Sequence, residues 1–204
     1  MQSRSVSREL ALLMLGQISD RLPPADLPLD HLLRQALASL NQHVRETLDS
    51  SELELQNAQQ QLLDSELIDG EAQIPRVREH LRNGLAHAEQ ALNRLSASLE
   101  LPRLLMLADQ EEIRRGALDR ARAVLERRDD LDQRLDGVME GWRLTRLPRI
   151  DRDILRLAAV DLYSFGTPAA VACNEAVELA NRYSDDQGRR MINGVLRRLI
   201  TTAA

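Results

Sequence analysis

Apolar residues recur at spacings of three and four along most of this 204-residue chain, the pattern of helices that bury one face. Val6, Leu10, Leu13, Met14 and Ile18 predict a helix over 4–19. The LPPADLP run at 22–28 ends it, because proline lacks an amide donor and disfavours helix in the residue before it. Two long patterns follow. The first, over 30–66, carries Leu33, Ala36 or Leu37, Leu40, Val44, Leu48, Leu55, Ala58 and Leu62. Asp69-Gly70 and Pro75 mark a turn, and a second pattern then carries Val77, Leu81, Leu85, Ala88, Leu92, Leu95 and Leu99. Its near-heptad spacing and the short turn predict an antiparallel coiled-coil hairpin with these apolar residues as its seam, an arm of roughly 50 Å.

Leu101-Pro102 interrupts the pattern, and shorter helices follow. Their stripes are Ile113, Ala117, Ala121 and Val124 or Leu125; then Leu131, Leu135, Val138, Met139 and Trp142; then Ile150, Ile154, Leu155, Ala158, Leu162 and Phe165. Gly166 suits a left-handed helix end, and Pro168 bars continuation. Two further helices close the chain. Ser184 with Gln187 reads as a capping box opening the last one, which turns Met191, Ile192, Val195, Leu196 and Leu199 inward. No strand pattern or internal repeat competes with this all-α reading.

Composition narrows the picture. Aromatic residues are 2% of the chain, against 43% hydrophobic residues overall, so the core is aliphatic. All 27 basic residues are Arg, which reads either as genome base composition or as a preference for the bidentate fork that suits phosphates and bases. The net charge of −5 argues against indiscriminate nucleic-acid binding. Residues 143–204, however, carry a net of +3 and residues 1–142 a net of −8, so an anion-binding face belongs to the C-terminal part. The single cysteine, Cys173, permits no internal disulfide and reads as a small buried hydrophobe. No apolar run approaches a membrane span, and the expected location is cytoplasmic, with no membrane partner. Enzyme chemistry finds no motif. His31, His43, His80 and His87 lie in the hairpin, and His80 and His87 lack an evident third ligand. No phosphate-cradling glycine loop is present, and no cofactor or metal is expected.

Three groups of residues stand out. Asn174 and Asn193 sit on apolar stripes and are read as buried amides that fix helix register, with Gly194 allowing close backbone approach. Arg4 and Arg8, one turn apart, share a face of the first helix. Arg189 and Arg190 open the last helix, whose free amides also attract anions.

The segments LPRIDRDILRLAAVDL and NEAVELANRYSDDQGRRMINGVL resemble the NusB family of transcription antitermination factors. The resemblance covers about residues 110–200 well and 3–19 weakly. It implies an all-helical, non-enzymatic body made of residues 1–29 and 101–204. Residues 30–100, which the basic family pattern lacks, would be an inserted two-helix antiparallel coiled-coil arm of the cyanobacterial type. It implies pairing with NusE, a small-ribosomal-subunit protein, and joint binding of boxA RNA. Through these the chain would act on the transcribing RNA polymerase complex at ribosomal RNA operons. The RNA-contacting positions it implies are Arg4, Arg8, Gln187, Arg189, Arg190 and Met191. Met191 stands where an aromatic often stacks a base, and Gln187 where an acid is found. The partner-facing positions are Gly16 and Asp151. The arm is expected to bind another protein or to self-associate. A competing expectation is a helical protein-interaction scaffold that keeps the NusB fold with little specific RNA binding.

Overall fold

The structure, a computed structural model, describes residues 2–18, 28–68, 73–98, 104 and 106–203. Its helices are α1 (Gln2–Gly16), α2 (Leu29–Glu66), α3 (Ile74–Ser98), α4 (Glu111–Glu126), α5 (Arg128–Val138), α6 (Arg149–Tyr163), α7 (Ala169–Tyr183) and α8 (Asp186–Ala203), with a 3-10 turn at Leu144–Arg146. The fold is all-α, with no strand among the described residues. The expected breaks at 22–27, Asp69-Gly70 and Leu101-Pro102 lie outside those residues. No helix among them is long and apolar enough to cross a membrane. The chain divides into two compact units, Met1–Leu37 with Leu107–Ala204, and Ala38–Met106.

The first unit is built around α6, which touches α1, α4, α5, α7 and α8. Every residue from Asp153 to Asp161 is buried. A helix enclosed on all sides must satisfy each polar side chain it carries. Arg156 does so by donating to both carboxylate oxygens of Asp132, at 2.7 Å each, and to Asp153 at 2.9 Å. This clamp joins α6 to α5. α1 packs most extensively on α4. There Ser7 donates to the Ile113 carbonyl at 3.0 Å, and a β-carbon added at Gly116 would stand 2.9 Å from the Ser7 hydroxyl. Gly116 therefore permits the approach. Arg149 donates to the carbonyls of Leu15 and Ile18, closing the C-terminal end of α1.

The stripe expected to run from Leu131 to Trp142 ends early. α5 stops at Val138, Met139 is extended, and Gly141 takes a φ of 74°. The Leu144 amide donates to Asp136 at 2.6 Å and holds this turn. Trp142 thus leaves the helix and is 58% exposed.

The second unit contains an α2–α3 hairpin, and its seam corrects the sequence reading. The buried and half-buried line on α2 is Val44, Thr47, Ser51, Glu54, Ala58, Gln61 and Ser65; on α3 it is Val77, His80, Gly84, His87, Ala91 and Arg94. Both lines alternate three and four, as a heptad seam must. They are made of small and polar residues, not leucines. His80 hydrogen-bonds Gln61 at 2.8 Å, and Glu54 meets His87 at 2.8 Å and Arg94 at 3.2 Å. A β-carbon at Gly84 would lie 3.3 Å from the Ala58 carbonyl, so the backbones approach closely there. Leu48, Leu55, Leu62, Leu81, Leu85 and Leu92, expected in the seam, are exposed.

Candidate nucleic-acid interface

The start of α8 is held from three directions. Asp185, not Ser184, caps it: its Oδ1 accepts the Gly188 amide at 2.7 Å, and its carbonyl accepts the Arg189 amide at 2.9 Å. Ser184 remains extended and turns its hydroxyl to Asp151 on α6. The capping box read from Ser184 and Gln187 is therefore replaced by a cap one residue later. Beneath this turn Gly188 is buried against Asp151. A β-carbon at Gly188 would collide with the Ser184 hydroxyl and lie 2.8 Å from Asp151 Oδ2. This is the tight glycine of the C-terminal helix pair.

Asp151 is 2% exposed, and its Oδ1 has no hydrogen-bond partner. Burial pushes its carboxyl above the ordinary range; the Ser184 hydroxyl opposes that, and the Asp185 charge reinforces it. Asp151, expected to face a partner, lies under the first turn of α8. Beside this turn a cavity of about 290 Å³ is lined by Trp142, Arg146, Asp151, Gln187 and Met191, among others. Gln187 and Arg190 are exposed, and Met191 is half-buried. Arg189 is half-buried and meets Asp186 at 3.1 Å and Asn181 at 3.3 Å. Of the expected contact residues, Gln187, Arg189, Arg190 and Met191 thus share one short stretch. Trp142 is the cavity-lining residue that periodicity missed. Glu140-Gly141 was the available signal, since glycine after a helix marks its end and frees the next side chain.

Arg4 and Arg8 part company. Arg4 is exposed, whereas Arg8 is 3% exposed and forms an ion pair with Asp161 on α6. Asp161 also accepts Arg120 Nε at 3.0 Å, and Glu175 lies 3.6 Å from Arg8 while accepting Ser5 at 2.8 Å. Two guanidiniums and two carboxylates cancel, so Arg8 lends no net charge to a surface. The expected paired face of Arg4 and Arg8 is corrected accordingly. Further along α1, the buried Glu9 accepts Arg182 at 2.9 Å and Tyr183 at 2.8 Å. Burial, with the Glu9 charge behind it, pushes the Tyr183 phenol well up. These bonds lay α1 along α7. Ser5 meets Glu175, about two helical turns before Tyr183, and α8 begins beyond Tyr183, so Arg4 stands at least two helical turns short of the α8 start.

The remaining expectations also shift. Asn174 is exposed and Asn193 half-buried, and neither makes a side-chain hydrogen bond among the described residues. Space lies open around Gly194. The close helix approach expected at these three is found instead at Gly188, against Ser184 and Asp151. Gly16 ends α1, exposed, with nothing near its missing side chain. Burial raises the Cys173 thiol above its ordinary value, which suits an unreactive side chain. Among the described residues no cluster of three or more potential metal ligands occurs.

Residues 76–201 match the NusB family. The chain is 45% identical over 202 residues to the "Transcription antitermination protein NusB" of a Synechococcus strain, covering 98% of this chain and 94% of that relative. Proteins of the same description from Gloeobacter violaceus and Synechocystis are each 42% identical, covering 98% and 97% of this chain and 95% and 90% of their own lengths. The chain belongs to the NusB family. At such coverage these relatives align across the second unit as well as the first. No solved structure matches the chain.

Proposed function

We propose that the chain acts in transcription antitermination. In this reading it binds boxA RNA together with NusE and supports transcription of ribosomal RNA operons. The observation that carries it is the open start of α8, where Gln187 and Met191 line a cavity with Trp142 and Arg146, and Arg190 stands exposed on the same helical turn. Arg190, with Arg4 and Arg189, supplies phosphate contacts. An exposed indole is a platform for a splayed base, and one stacked base contributes about 1–3 kcal/mol. Trp142 thus takes the stacking role that Met191 alone serves poorly, and Gln187 offers an amide to a base edge.

The test is a titration of labelled boxA RNA and a scrambled RNA, with and without NusE, at two salt concentrations. Arg190→Ala is expected to weaken both RNAs alike and to flatten the salt dependence. Trp142→Ala is expected to lower the preference for boxA over the scrambled sequence. No preference even with NusE present would leave the second reading, a scaffold of NusB fold. The burial of Arg8 and the net charge of −5 are the observations on the side of that second reading.

A further inference from the structure

The hairpin of the second unit has one polar flank and one apolar flank. With its seam at positions a and d, the g positions are polar: Ser50, Asn57 and Asp64 on α2, Asn83 and Gln90 on α3. The e positions are apolar: Leu48, Leu55 and Leu62 on α2, Ile74, Leu81 and Ala88 on α3. In an antiparallel pair of helices, e faces e and g faces g. The two apolar rows therefore lie on the same side of the hairpin. Leu85 and Leu92, one position further round α3, widen that side. The leucines and the isoleucine of this face are 41% to 72% exposed. The hairpin's own closure does not use them, because small residues and the Glu54–His87 and Gln61–His80 contacts form the seam.

We propose that this face docks on the same face of a second copy of the chain. The two hairpins pair antiparallel about a two-fold axis at Leu55, making a four-helix bundle. Three observations select this occupant. The first is period: rows repeating every seven residues on both helices are what a second layer of parallel or antiparallel helices requires. The second is area. Eighteen residues of helix run about 27 Å, and two helices span about 18 Å, so each copy offers roughly 500 Å² and the pair about the 1,000 Å² that a specific interface needs. The third is charge. A dyad at Leu55 sets Leu48 over Leu62 of the second copy and Arg45 near Glu66 of the second copy, an opposite-charge pair at the rim. The same dyad sets Arg82 near Glu89 of the second copy on α3. An isologous contact of this kind closes on itself and does not propagate into fibres.

The test is sedimentation of the full chain at micromolar concentration. The expected species is a dimer of twice the 23.0 kDa chain mass. Leu55→Glu places a carboxylate beside its own symmetry mate. It is expected to raise the dimer dissociation constant on the order of 100-fold, with helicity unchanged because Leu55 is 45% exposed. On a Cys173→Ala background, Leu55→Cys is expected to form a disulfide-linked dimer on mild oxidation. Leu53→Cys, on the far side of α2 and 58% exposed, is expected not to. A monomeric parent chain overturns the proposal and transfers the face to a different protein. So does a dimer indifferent to Leu55→Glu, or cross-linking through Leu53→Cys in preference to Leu55→Cys.

Discussion

Arg8 lies within a helical bundle with its charge cancelled by Asp161, and the carboxylate is shared with Arg120. Removing Arg8 strips the buried Asp161 of one of its two guanidinium partners and leaves Arg120 in place, which costs about 1–3 kcal/mol. Arg8→Ala is therefore expected to lower the melting temperature sharply, while the protein still folded at low temperature keeps its RNA affinity; calorimetry beside a binding titration separates the two effects. Asp151 is a different case. Burial holds its carboxyl above the ordinary 3.8, so the folded chain keeps that proton to a higher pH than the unfolded chain does. The stability tied to this group is full below the ordinary value, falls as pH rises toward the raised one, and is level above it. Asp151→Asn removes that slope. The melting temperature of the variant relative to the parent is expected to climb across the mildly acidic range, and a constant difference would refute the assignment. At this scale the sequence was least legible. Arg8 on a helix surface and Arg8 against Asp161 look alike until the chain brings together two residues 153 positions apart.

Among the elements, α8 shows how a boundary is chosen between neighbouring candidates. Ser184 and Asp185 are both good caps, and Asp185 takes the role while Ser184 serves Asp151. Gly188→Ala puts a methyl group where the Ser184 hydroxyl and Asp151 already stand, an overpacking expected to cost about 1–3 kcal/mol. Asn193→Leu, at a half-buried site without a hydrogen bond, is expected to leave the melting temperature nearly unmoved; a parallel melt of the two variants checks both statements. The hairpin teaches a related lesson. Its leucines repeat every seven residues, and so do the small residues Ser51, Ala58 and Ser65, three positions further along α2. Periodicity weighted by hydrophobicity selects the leucines as the seam. Close backbone approach selects Gly84, Ala58 and Ala91 instead. Helix existence was readable from spacing, but which stripe faces which neighbour was not.

At the scale of the molecule, the all-α class and the helix order were legible because nearly every element carries its own period of 3.6. The resemblance in the last quarter of the chain pointed to the family that its relatives share. We expect the first unit to fold without the second. Joining Leu37 to Leu107 through a short flexible linker should leave a body that melts in one cooperative step, followed by circular dichroism. Aggregation of that body would show that the two units fold as one.

Trp142 is the single tryptophan of the chain, more than half exposed, at the edge of the cavity beside α8. Its fluorescence is therefore already that of an indole in water while the protein is folded. Heating will change its emission colour little, and a melting curve recorded that way will understate the transition. A base or a partner side chain seated in the cavity will exclude that water, and will quench the emission or move it to the blue. The protein carries its own optical reporter, nearly silent on unfolding and sensitive to occupancy of the site.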